Sequence, residues 1–147
     1  MDETVSGISH DREAIGGGTV DDAVLEAVLA RFGDRWPASV ACGPGWYQLV
    51  ADCDRELAAM CEQYVLCQVK EKFAGLRYYF SLPDDIADDD EDGLWTRMLA
   101  IARRYEERSF TICEETGRAG VLMRNGNWYK TLSPERDWEG FEVVGAR

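Results

Sequence analysis

"YVLCQVKEKFAGLRYYFSL", residues 64–82, decides the fold. It is rich in β-branched and aromatic side chains around Ala74-Gly75, which marks two strands and a turn. An even loop of two or four residues puts Val65, Cys67, Val69, Glu71 and Phe73 on one face with Leu76, Tyr78, Phe80 and Leu82. The other face then carries Gln68, Lys70, Lys72, Arg77, Tyr79 and Ser81. An odd loop would set lysines against apolar residues, so the pattern selects the register. Gly75 as the last residue of a four-residue loop, at positive φ, fits best.

Outward from this hairpin the periodicity changes to that of helices. On the N-terminal side, Trp46, Leu49, Val50, Cys53, Leu57, Met60, Cys61 and Tyr64 recur at steps of three and four, with Gln48, Asp52, Asp54, Arg55 and Glu62 between them. Before the break "WPASVACGPG", Val24, Leu25, Val28, Leu29 and Phe32 predict another helix. It starts at Val20, with Thr19 as cap and Asp21 and Asp22 in its first turn, and ends near Gly33. On the C-terminal side, Leu94, Met98, Ile101, Ala102 and Tyr105 predict a third amphipathic helix, with Arg103, Arg104 and Arg108 at its end as the helix dipole favours. "FTIC" and "VLMR-NG-NWYKTL" predict a second hairpin turning at Asn125-Gly126.

The expected architecture is one α+β domain over residues 20–136, with three amphipathic helices on a small antiparallel sheet of hairpins. Residues 1–19 read as a flexible tail and 137–147 as a loosely packed end. At 147 residues the chain can bury a core without staples. Its five cysteines are an odd number, and Cys42, Cys53, Cys61 and Cys67 sit in apolar patterns, which predicts reduced, buried thiols in the cytoplasm. No export signal or membrane span is evident.

Charge is the strongest functional signal. There are 28 acidic and 16 basic residues, a net charge of −12. That sign repels phosphate backbones and anionic membranes and attracts a basic protein. Asp84, Asp85, Asp88, Asp89, Asp90, Glu91 and Asp92 form one run, more than a helix start needs. It is either an interaction surface or a solvated loop. Lys70, Lys72 and Arg77 beside Tyr79 could hold an anion or an acidic partner, against the alternative of a solvated face paired with neighbouring acids. Glu71 points to the apolar face, either at its rim or buried with a partner such as Tyr78 or an arginine. Trp95 and Trp128 are either exposed anchors or core tryptophans.

Catalytic and metal constellations are sparse. The single histidine, His10, lies in the tail, removing the usual general base. No GxxxxGK[ST], GxGxxG or GxSxG occurs. Cys113 begins what looks like a zinc knuckle, but Thr116 fills the partner position and Ser133 stands where a second knuckle would begin. Glu114 and Glu115 are wrongly placed to replace a thiolate. No metal and no cofactor is expected.

"GPGWYQLV", "QVKEKFAGLRYYF", "CEETG" and "NWYKTL", in that order within residues 42–135, resemble a family of short uncharacterised bacterial and phage proteins. Members have a GW segment opening a helix, a K-E-K-F-G-x-L-R-type hairpin and a cysteine-paired, zinc-ribbon-like end. The resemblance implies an architecture and no activity. Ala74 replaces the glycine before Gly75, and of the paired cysteines only Cys113 remains.

The expected function is a non-catalytic, acidic protein-binding module that neutralises or inhibits a basic partner, as an immunity protein or phage-encoded inhibitor does. Direct nucleic-acid or membrane binding is not expected. The alternative is a degenerate zinc-ribbon regulatory or nucleic-acid adaptor protein; an enzyme using the Glu71 region is the third possibility.

Overall fold

The computed structural model describes residues 18–87 and 93–144, with side chains from residue 23 onward. Helix α1 (Gly18–Leu29) is followed by a two-residue strand β1 (Val40–Ala41), a 3-10 turn (Pro44–Trp46) and helix α2 (Tyr47–Met60). Strands β2 (Val65–Lys72) and β3 (Gly75–Ser81) form the first hairpin, followed by one helical turn, α3 (Asp84–Ala87), and helix α4 (Leu94–Ser109). Strands β4 (Val121–Asn125), β5 (Trp128–Leu132) and β6 (Glu142–Val143) complete the described chain. The protein is α+β, as the patterning predicts. The hairpins do not share a sheet, however: β1-β2-β3 form one three-stranded sheet and β5-β4-β6 another.

The main core lies between the first sheet and helices α1, α2 and α4. Leu25, Val28, Trp46, Val50, Cys53, Leu57, Leu66 and Met98 are all sealed from solvent there. Each helix was placed by its period, and each delivers an apolar stripe to that core. Helix α1 begins two residues before the expected start, and the capping expected of Thr19, Asp21 and Asp22 falls on side chains outside those described. Phe32, expected inside the helix, pairs with Leu66 of β2 beyond the helix end. The tail through residue 17, with His10, also lies outside the described residues.

The first hairpin keeps its predicted faces near the turn and loses them further away. Val69 pairs with Tyr78, and Glu71 with Leu76, as alternation requires. The loop has two residues rather than four, and Phe73 (φ 53°) and Ala74 (φ 70°), not Gly75, adopt positive φ. That is the mirror-image geometry matching the strands' twist, normally left to Asn and Gly. Phe73 therefore leaves the apolar face for the exposed tip, and Gly75 lies in β3, where a Cβ would stand 2.5 Å from the Phe110 ring. A β-bulge between Leu66 and Gln68 adds one residue to β2, so Leu66 takes the buried position expected of Cys67.

The second hairpin turns one residue later than predicted, at Gly126-Asn127, with Asn125 paired to Trp128, and "FTIC", predicted as part of it, forms only the isolated bridge of Ile112 with Ala119. Its core is small: Cys113, Met123 and Leu132, with Val121, Trp138 and Phe141 against them. The end expected to be loose contributes Trp138, Phe141 and strand β6, and the Val144 N–H donates to Leu122 O at 2.9 Å. Three of the five cysteines are buried, while Cys42 and Cys67 are half-buried; none of the five is in a disulfide. No helix among the described residues is long and apolar enough to cross a membrane.

Candidate binding surface

The four motif stretches converge where the two sheets meet. The Gly45 N–H donates to Glu114 O at 2.7 Å, the Trp46 indole to Ile112 O at 2.8 Å, and the Gly43 N–H to Glu114 Oε2 at 2.9 Å. Gly45 has no room for a side chain: a Cβ would lie 2.2 Å from Cys113 O. From the other side, Thr131 Oγ1 of β5 donates to Ala74 O at the hairpin tip, 2.7 Å away. Glu71 sits partly buried beside it, its Oε2 accepting the Ala74 N–H at 3.0 Å. It is thus a turn-bracing carboxylate at the rim, and Tyr78 bonds Tyr64 instead, at 2.6 Å.

Cys113 belongs to this junction and is fully buried. Its sulfur accepts the Thr116 N–H at 3.3 Å, and its carbonyl accepts the Gly117 N–H at 2.9 Å. Ser133 Oγ accepts the Glu135 N–H at 3.3 Å. The knuckle-like turn is therefore held by backbone hydrogen bonds. Among the described residues no three side chains of metal-ligand type gather.

Beside the junction, the second sheet opens into a cleft of about 300 Å³. Trp128, Trp138 and Phe141 are its aromatic walls, Leu132 is apolar lining, and Glu115, Lys130 and Arg136 are its charged groups. Strand period puts Trp128, Lys130 and Leu132 on one face of β5. Trp138 is fixed by its indole N–H to Ser133 O at 2.8 Å, and Phe141 lies 5.3 Å from Trp128. Trp128 remains 55% exposed. The Lys130 ammonium lies 2.9 Å from Glu114 and 3.6 Å from Glu115. Burial pushes the Glu114 carboxyl above the usual range, outweighing Lys130 and the Gly43 N–H that favour its charge. Burial pulls the other way on Lys130, but Glu114, Glu115 and Glu71 together hold its ammonium above the ordinary lysine value.

The residues singled out from sequence do not form one site. Asp84 and Asp85 are exposed on α3, while Asp88, Asp89, Asp90, Glu91 and Asp92 lie outside the described residues. Lys70 and Arg77 face each other across β2 and β3. Arg77 reaches Glu106 of α4 at 3.7 Å, a loose pairing. Lys72 lies over the Phe73 ring at the hairpin tip. Trp95 is partly exposed and packs on Phe80, with centroids 4.9 Å apart. Only Trp128 lines the cleft. Glu114, Glu115, Lys130, Arg136, Trp138 and Phe141 were missed as site residues. The alternation Trp128, Lys130, Leu132 was the available signal, whereas the return of residues 138–141 onto β5 carries no local pattern.

No protein-family model, curated protein or solved structure matches the chain.

Proposed function

We propose that the protein is a non-catalytic binding module of the cytoplasm that neutralises or inhibits a basic partner protein, in the manner of an immunity protein or a phage-encoded inhibitor. The observation that carries this reading is an open aromatic cleft on a chain of net charge −12. Aromatic side chains with much of their surface free are the usual anchors of protein interfaces, and opposite charge speeds the encounter. Glu135 and Glu142, exposed in the segment that supplies two of the walls, pair with Arg118 and Arg124, while Asp137 and Glu139 add exposed negative charge beside the cleft. Kinship with the family of short bacterial and phage proteins belongs to the same proposal, supported by the meeting of its four motif stretches at one junction.

Capture of the partner from the native host tests the reading. At about 0.1 M salt, where charges act over about 10 Å, a basic protein is retained; at about 1 M, where that falls to about 3 Å, it is released. Changing the seven acids between residues 84 and 92 to Asn and Gln weakens capture. Turnover of a small molecule, or tight binding of bare DNA or RNA, would overturn the reading. The knuckle-like turn at Cys113 favours a second reading, a degenerate zinc-ribbon adaptor, and stoichiometric zinc in the purified protein would select it instead.

A further inference from the structure

We infer that the cleft walled by Trp128, Trp138 and Phe141 is a seat for a cationic side chain, an arginine for preference, presented by the partner. This rests on the proposed basic partner and names the contact by which it is held. Two properties of the cleft favour a cation. First, the face of an aromatic ring carries negative electrostatic potential and attracts cations within about 6 Å of its centre. The chain's own groups already use that attraction: Arg136 lies 4.6 Å from the centre of the Trp138 ring, and Lys130 lies 5.5 Å from that of Trp128. Trp128 nevertheless keeps 55% of its surface open.

Second, the carboxylates beside the cleft are not all committed. Glu114 and Glu115 both lie against the Lys130 ammonium, and the cleft's other cation, Arg136, is stacked on Trp138. Glu114 is sealed, its side chain 4% exposed, and is committed to Lys130 and the Gly43 N–H. Glu115 is different: its side chain is 38% exposed, and its Oε2 is 3.6 Å from Lys130, too far for a hydrogen bond. It therefore has acceptor capacity left for an incoming group. A guanidinium can lie flat on an indole while its edge meets a carboxylate, a combination an ammonium matches less well. The Arg136–Trp138 stack is the rim's own example of the first half of that contact.

The full chain is titrated with acetyl-arginine amide, acetyl-citrulline amide and acetyl-glutamate amide, following the Trp128 indole N–H resonance, assigned by its loss in Trp128→Phe. Arginine amide is expected to give a saturable shift, and citrulline amide, of the same shape but uncharged, to bind at least tenfold more weakly. Glu115→Gln is expected to weaken arginine binding about tenfold. Equal response to citrulline, preference for glutamate or no saturable shift would each overturn the proposal, the second by making Arg136 the centre of an anion site. Trp128→Ala and Glu115→Gln separate this inference from the function it rests on. If salt-sensitive capture of a basic partner survives both, the cleft is not the contact and the broader reading stands. If arginine amide binds the cleft but no basic partner is captured, the seat stands and the broader reading falls.

Discussion

Asp54 shows how far one residue can depart from its place in a pattern. By spacing it belongs with the polar positions of α2, between the core residues Cys53 and Leu57. The structure buries it, with the Tyr64 hydroxyl donating to its Oδ1 at 2.5 Å and Arg31 Nε at 2.9 Å. Arg31 also donates to Glu62 O at 3.1 Å, and Tyr64 continues the chain of bonds to Tyr78. Burial, then the Asp54 hydrogen bond, drives the Tyr64 pKa far above that of free tyrosine, so the phenol stays a donor. No local rule exposes such a group, because its partners arrive from the turn after α1 and from Tyr64, just before β2. Asp54→Ala strands a guanidinium and a phenol. We expect a loss of about 2–3 kcal/mol in chemical denaturation, at or just below the range for fully sealed pairs, since the Arg31 side chain is 24% exposed. A loss below about 0.5 kcal/mol would mean that water serves Arg31 and Tyr64 equally well.

Among the elements, those written in one strong period were legible: α4 appears over its predicted length, α2 ends at Met60 with Cys61 and Tyr64 of its predicted stripe beyond it, and β2 and β3 pair in the predicted sense. Turn chemistry was not. Phe73-Ala74 carries none of the usual signals for two successive positive φ values, and the sequence offered Gly75 as the more natural bearer. The chain accepts the strain because Ala74 is clamped between Glu71 and Thr131, whose bonds reach its N–H and C=O. Phe73, 67% exposed and in the left-handed region, is the replaceable member. Phe73→Asn should relieve about 1 kcal/mol of backbone strain and raise the melting midpoint by about 3 °C. An unchanged or lower midpoint would show that the ring at the tip, beneath Lys72, stabilises more than its conformation costs. The cleft was legible only along β5, where alternation is local.

For the whole molecule, two cores of unequal size share one junction. The larger sets helices on the β1-β2-β3 sheet, and the smaller holds three buried hydrophobic side chains under the C-terminal strands. Stability follows buried apolar surface, so opening free energies should differ. Native-state hydrogen exchange is expected to find the amides of β2 and β3 slowest and those of β4 and β5 markedly faster; equal rates would mean that both cores open as one unit. One sheet of helix-covered hairpins had been expected because composition and period do not say which hairpin pairs with which. The clasp of Gly45 and Trp46 on Ile112 and Glu114 also bears on the order of events at the ribosome. Its two sides are separated by more than sixty residues, so the indole of Trp46 has no acceptor at Ile112 until translation has passed that codon. A nascent chain halted after the first hairpin would expose the clasp's unfilled half to chaperones and proteases, which places the seating of the amino-terminal half late in synthesis.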